Sequence, residues 1–467
     1  MTEHDVSKYK YQALLITGAG IFLGTLDSSI VNVSLPTISR EMKTTIDMVG
    51  WVVLSYSITA LSFLMVFGAL SEKKGFRFSY KAGFSIFLVG SLLCGISQHI
   101  YMLIGARIIQ GFGAALLMSV GPALITRTFP ASERGRGLSV NAMVVSVGLM
   151  SGPPLGGLII SSIGWRWIFF VNIPVGLLGI YFTTKYIKDF PATDPTRKTS
   201  LPGAVSLSTA FLALMLAIML YSKDAIRVPP MLALLVLSVA AWFLFFYFES
   251  RPDTRLVGLD IFKNRVFSFS GSSMLLVFVA LSSVTILMPF YLEQIKNFTP
   301  DRVGFYLMTI PVSTFVMAPL AGYLADKVEA RYISTLGIFL MLIGFMLIRR
   351  LGIDSTPFQI IAVLVLVGLG MGIFSTPNTS TIMGAVNRTQ QGSASGIIST
   401  IRTLGMSLGV GMTIALFGIY KDRVGAEGLS EASRFVFGYN AVYGIMIFVI
   451  LGAGVFSFIR GNNIRGK

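Results

Sequence analysis

Apolar runs of about twenty residues recur along this chain, and no other feature restricts its fold as strongly. A hydrocarbon core about 30 Å thick takes about 20 apolar residues to cross as a helix. Inside it, every backbone polar group must bond within its own segment. Fourteen runs qualify, from 12–35 and 48–70 near the start to 393–419 and 437–459 near the end. The loops between them are short, which leaves no room for a large soluble domain. Composition agrees, with 54% of residues hydrophobic, 12% charged and a mean hydropathy of +0.76. The expectation is an all-α polytopic membrane protein with 14 transmembrane helices.

The opening "MTEHDVSKYKY" lacks the small-residue cleavage site of a secretory leader, so the first run reads as a retained helix. An even number of spans puts both termini on one side. Lys and Arg favour that side roughly two to one, which predicts cytoplasmic termini in a cell membrane. These loop charges account for a net charge of +16 without nucleic acid as a partner. With Cys94 alone, no intrachain disulfide or cysteine-rich metal site can form. His4 and His99 are too few for a histidine metal centre or a histidine-based triad, and no Gly-x-x-x-x-Gly-Lys-Ser/Thr loop is present. No enzymatic activity, metal or cofactor is therefore expected.

A repeat divides the chain. "GALSEKKGFR" runs from Gly68 to Arg77 and "GYLADKVEAR" from Gly322 to Arg331, with Gly, Leu, an acid, Lys and a final Arg in register. The first follows the second span and the other follows the tenth. Two six-helix halves match these loops only if two helices, 201–221 and 229–248, are inserted between them. The expected organisation is a six-helix bundle over 1–186, a linker with two additional helices over 187–255, and a pseudo-symmetric six-helix bundle over 256–467.

Asp27, in "LDSSIVNVSLP", is the acid that these limits place within a span. A charge at a helix centre costs about 2.5–3.5 kcal/mol on insertion scales. Intramembrane acids of this kind are commonly proton carriers, although a hydrogen-bonded acid that only fixes helix packing is the plainer reading. Arg107 sits early in the fourth span. Counted at about 1.5 Å per residue, Asp27 lies about 12 Å deep and Arg107 about 9 Å. Contact between them is expected, with Gln110 on the same helical face; the alternative is an arginine snorkelling to the surface. Asp27 and Arg107 are thus the candidate proton-coupling pair, and Asp27, Asn32, Gln110 and Arg402 the candidate substrate-cavity residues.

The fifth span carries "GLMSGPPLGG", in which Gly148, Gly152, Gly156 and Gly157 permit close helix approach and Pro153 removes a backbone donor. This is a rigid packing contact or a moving one. In the repeated loops Glu72 with Arg77, and Asp326 with Arg331, offer charge pairs, which Arg134 can join. They read as a conformational latch, against ordinary topogenic charge.

With these residues in view, the chain resembles the major facilitator superfamily and, within it, the fourteen-helix drug/proton antiporters. "LDSSIVNVSLP" is similar to that family's first-helix motif, Gly68 to Arg77 to its loop motif, Arg107 to Ala115 to its fourth-helix motif and Gly148 to Gly157 to its antiporter motif. "GWRWIFFVNIP" resembles the opening of its sixth helix. The resemblance implies two bundles rocking about a central cavity and exporting a small amphipathic molecule as protons enter, with a monomer as the expected state. Glu72 and Phe76 depart from the usual Asp and Arg of the loop motif, and Ser34 from an Ala of the first. A specific endogenous metabolite or lipid-like molecule is the rival substrate; a membrane-embedded enzyme or receptor is more distant.

Energetics narrow the cargo. An inward proton releases about 2.3 kcal/mol per 100 mV and about 1.4 kcal/mol per pH unit, which sustains a gradient of a few hundredfold for a neutral molecule. A monocation exchanges electroneutrally and keeps about tenfold per pH unit, while the potential opposes a dication. Neutral, zwitterionic or monocationic amphiphiles are favoured.

Overall fold

The computed structural model describes residues 3–129, 134–187, 201–220, 228–251, 259–387, 391–423 and 430–461. Every regular element among them is helical. The first group is α1 (Glu3–Glu41), α2 (Ile46–Lys74), α3 (Phe76–Gly95), α4 (Ile100–Thr128), α5 (Arg134–Ile163), the single turn α6 (Trp167–Phe170), α7 (Asn172–Tyr186), α8 (Leu201–Leu220) and α9 (Val228–Glu249). The second is α10 (Arg265–Phe290), α11 (Pro300–Lys327), α12 (Ala330–Ile348), α13 (Pro357–Gly384), α14 (Gln391–Arg423) and α15 (Glu431–Ile459). Among the described residues 13 segments are long and apolar enough to cross a membrane, one of them formed by α6 and α7 together. The remaining helix, α8, has a shorter described apolar stretch, Leu201–Leu214.

Local chemistry sets the boundaries. Thr45 and His99 accept the free backbone N–H of Met48 and Met102 at the starts of α2 and α4. Thr356 and Gln359 form a reciprocal capping box on α13. Gly75, at φ +90°, makes the junction from α2 to α3 in a backbone region that side chains rarely adopt. The membrane-crossing segment Trp167–Tyr186 is split at Val171 into α6 and α7.

Contacts divide the chain into one unit over Met1–Gly258 and another over Leu259–Lys467. In the first, α1 packs on α5, α4 and α7, and α3 packs on α4. The inserted pair belongs to this unit: α8 and α9 pack together, and the Ser208 hydroxyl donates to the Ser62 carbonyl on α2. In the second unit α10 packs on α14 and α15, while α13 packs on α11 and α12.

Small residues fix these approaches, and several recur in matching register. A Cβ on Gly113 would stand 2.8 Å from the Gly83 carbonyl, and one on Gly370 would stand 2.7 Å from that of Gly337. One on Gly152 would meet Ser29 Cβ at 2.7 Å, and one on Gly409 would meet Ser282 Cβ at 2.8 Å. Gly68 faces Ser119 as Gly322 faces Thr376, both at ordinary contact distance.

Candidate functional site

Asp27 lies midway along α1, completely buried, beside an equally buried Arg107 from α4. Arg107 Nη1 donates to Asp27 Oδ2 at 2.5 Å, so the ion pair is direct. The snorkelling alternative for Arg107 does not hold, since its side chain is 1% exposed. Its Nε donates to the Val52 carbonyl of α2 at 3.0 Å, and its guanidinium lies 4.1 Å from the Tyr56 ring centroid. A backbone carbonyl and an aromatic face therefore share the cation with the carboxylate.

Two amides complete the cage. Gln110 Nε2 and Asn172 Nδ2 each donate to Asp27 Oδ1 at 2.7 Å. Gln110 Oε1 accepts from Arg107 Nη1 at 2.5 Å, so one side chain links base and acid. The Ser91 hydroxyl oxygen, from α3, accepts from Gln110 at 2.8 Å and from Asn172 at 3.3 Å. Five helices, α1, α2, α3, α4 and α7, converge on one carboxylate. Three charge-assisted or amide bonds meet on it in a site closed to solvent, where losing one partner of a buried ion pair costs about 3–5 kcal/mol.

The glycine stripe of α5 brackets this site. Cβ atoms on Gly148 and Gly152 would collide with Thr25 and Ser29, the residues two before and two after Asp27. Gly156 meets Ile30 one turn on, while Pro153 and Gly157 are buried in a helix that runs unbroken through Pro153 and Pro154. The Ser29 hydroxyl donates to the Gly148 carbonyl at 3.1 Å. A shift of α5 along α1 is thereby felt directly beside Asp27.

Other candidates stand apart from the cage. Asn32 is buried, but its Oδ1 finds no hydrogen-bond partner among the described residues and it does not bond Asp27. Arg402, on α14 in the second unit, donates to Thr379 at 3.2 Å and faces Phe278, with its Nε unpaired. Arg77 Nη2 donates to the Thr184 carbonyl at 2.7 Å, and Arg331 pairs with Glu329 at 2.7 Å. The side chains of Glu72, Arg134 and Asp326 lie outside the described residues, and with them the acid side of each expected latch.

Sequence reasoning missed Asn172, Ser91, Tyr56 and the Val52 carbonyl. Asn172 has a signal, since it stands in the quoted "VNIP" segment; the others are ordinary helix residues. Arg460 was also missed. It follows the last residue of α15, yet it is 1% exposed and donates to Asn378 Oδ1 at 2.7 Å.

Comparison with known proteins gives the family. A sequence model of the Major Facilitator Superfamily matches residues 17–410. The riboflavin transporter RibZ of Clostridioides difficile is 33% identical over 413 residues, covering 88% of this chain and 89% of its own. The multidrug resistance protein Stp of Mycobacterium tuberculosis is 30% identical over 397 residues, 85% of this chain and 74% of its own. Among solved structures, a bacterial homologue of the human lysosomal transporter Spinster superposes with a TM-score of 0.69 at 14% identity, covering 97% of both chains. The likeness there is one of fold. On these matches the chain belongs to the Major Facilitator Superfamily, as a multi-pass membrane transporter rather than an enzyme.

Proposed function

We propose that this transporter is a proton-coupled antiporter that exports small amphipathic compounds. In this reading two pseudo-symmetric six-helix bundles alternate access, both termini are cytoplasmic, and the chain works as a monomer. The observation that carries it is the closed cage around Asp27. While the acid is ionised, the Asp27–Arg107 pair is neutral and sealed. Protonating Asp27 leaves a net positive charge in a low-dielectric interior, and the cage relaxes only by opening toward water or a partner. Because Thr25 and Ser29 carry the α5 contact on either side of Asp27, that opening is transmitted to the α1–α5 interface. The proton and the conformational step thus share one element.

Arg107 has a defined part. It holds the unprotonated state closed and, once released, raises the cost of keeping an unpaired cation, which drives the proton off after the rearrangement. Gln110 and Asn172 orient the carboxylate in both states, because each amide can bond a neutral or an ionised acid. Multidrug resistance proteins among the relatives support an amphipathic and varied cargo. The similarity to a riboflavin transporter supports a second reading, a single planar metabolite as the cargo.

One experiment separates these. Cells expressing the wild type or Asp27→Asn are challenged with a broad panel of toxic amphiphiles, and riboflavin flux is followed in parallel. Antiport predicts resistance to several unrelated compounds that is lost in Asp27→Asn. Equal resistance in both strains removes the proton-carrier role; no resistance together with riboflavin flux selects the metabolite reading.

A further inference from the structure

An open apolar groove of about 320 Å³ lies between α12 and α15. It follows α12 from Thr335 to Leu342 and α15 from Ile450 to Ile459, about 10–14 Å along each axis. That is close to the depth of one leaflet of a core about 30 Å thick. Gly454 forms part of its floor, where a Cβ would meet only Ile338 at 3.5 Å. Its single polar residue, Thr335, is already engaged, donating to the Arg331 carbonyl and bonding Ser457.

One end of this groove is cationic. Arg265 is exposed, and its Nη2 donates to the carbonyl of Ile459, the last groove residue of α15. Arg331 stands one turn before Thr335 and lies 4.6 Å from the Tyr332 ring, which meets Phe458 of the groove edge-on. Arg460, next in the chain after Ile459, is buried and bonded to Asn378, Ser270 and Ser334, with its Nε unpaired. Burial first, and then the charge of Arg331, hold the Arg460 guanidinium down to about 10, which leaves it cationic at neutral pH. Among the described residues Glu329 is the one carboxylate that pairs with any of these three arginines. An apolar trough of leaflet depth ending in an excess of positive charge matches an amphiphile with an anionic head.

We propose that an anionic phospholipid occupies this groove, with one acyl chain along α12 and α15 and its phosphate against Arg265 and Arg331. Arg460, being buried, contributes potential without reaching the lipid. A zwitterionic lipid brings its own cation to the same place and gains less from the arginines.

The test uses the full-length protein, purified with equal amounts of phosphatidylglycerol and phosphatidylcholine and weighed intact by native mass spectrometry. Phosphatidylglycerol is expected to be retained preferentially. Arg265→Gln and Arg331→Gln are each expected to lower that preference about fivefold, the value of one basic residue near a membrane surface. Gly454→Leu fills the trough away from the arginines and abolishes retention, and excess inorganic phosphate leaves the bound lipid in place. Equal retention of the two lipids by the wild type, displacement by phosphate, or undiminished retention by Gly454→Leu each overturns the proposal.

Discussion

Around Asp27 the first unit buries a carboxylate, a guanidinium, two amides and a hydroxyl; at the corresponding register the second unit buries Ala280, Leu364, Val367 and Phe345. The register follows from the repeated close approaches, which match Ser29 with Ser282, Gly83 with Gly337 and Gly113 with Gly370. The Ser282 hydroxyl even donates to the Met406 carbonyl at 3.1 Å, as Ser29 does to Gly148. At the register of Ser91 the second unit packs Phe345 edge-on to Tyr443, 5.8 Å between centroids. The helix contacts are thus indifferent to the chemistry they enclose. Glycine and serine set the scaffold, and a handful of side chains decide which unit holds an ion pair at this register.

The comparison is broken most severely by Arg107→Ala. Leaving Asp27 buried without its cation is expected to destabilise the protein by about 3–5 kcal/mol, read as a large fall in the thermal midpoint of the detergent-purified protein. A midpoint within a degree of wild type shows that the pair is not sealed. Next comes the converse change, Ala280→Asp, which puts an acid where the second unit has no arginine. Insertion scales give a cost of about 2.5–3.5 kcal/mol, and the variant is expected to express poorly and gain no new pH dependence. Full expression indicates that the second unit accepts a charge as readily as the first. The smallest effect sharpens the contrast. Ser91→Ala removes an acceptor shared by two amides while the cage keeps its ion pair, and about 0.5–1.5 kcal/mol is expected. Chemical denaturation of the purified protein detects that difference, and a loss above about 3 kcal/mol makes the serine a keystone of the cage.

Intramembrane charge is conspicuous in a hydropathy profile, which is why Asp27 and Arg107 stood out and why matched depths brought them together. Gln110 followed from helical periodicity. Ser91 and Tyr56 are unremarkable in any apolar helix, Asn172 is marked by its place in "VNIP" alone, and only the convergence of α1, α2, α3, α4 and α7 gives them a purpose. Asn32 is close to Asp27 in sequence and buried, yet its amide is not turned toward the carboxylate. Arg460 lay just past the expected end of the last span, where an arginine reads as loop charge. Its burial depends on α10, α12 and α13 offering hydroxyls and an amide from far along the chain. The repeated loops were legible as a pattern, and the packing of Gly68 and Gly322 shares one register.

Cys94 is the one cysteine in the sequence; it is buried, with its sulfur 3.9 Å from Gln110 Oε1 at the edge of the cage. Nature has thereby installed a silent reporter. A thiol that is masked while the five helices stay together becomes reactive when water enters between them. The unmodified protein can be alkylated over time, with and without cargo, to clock how often the cage breathes. No cysteine needs to be removed or introduced beforehand.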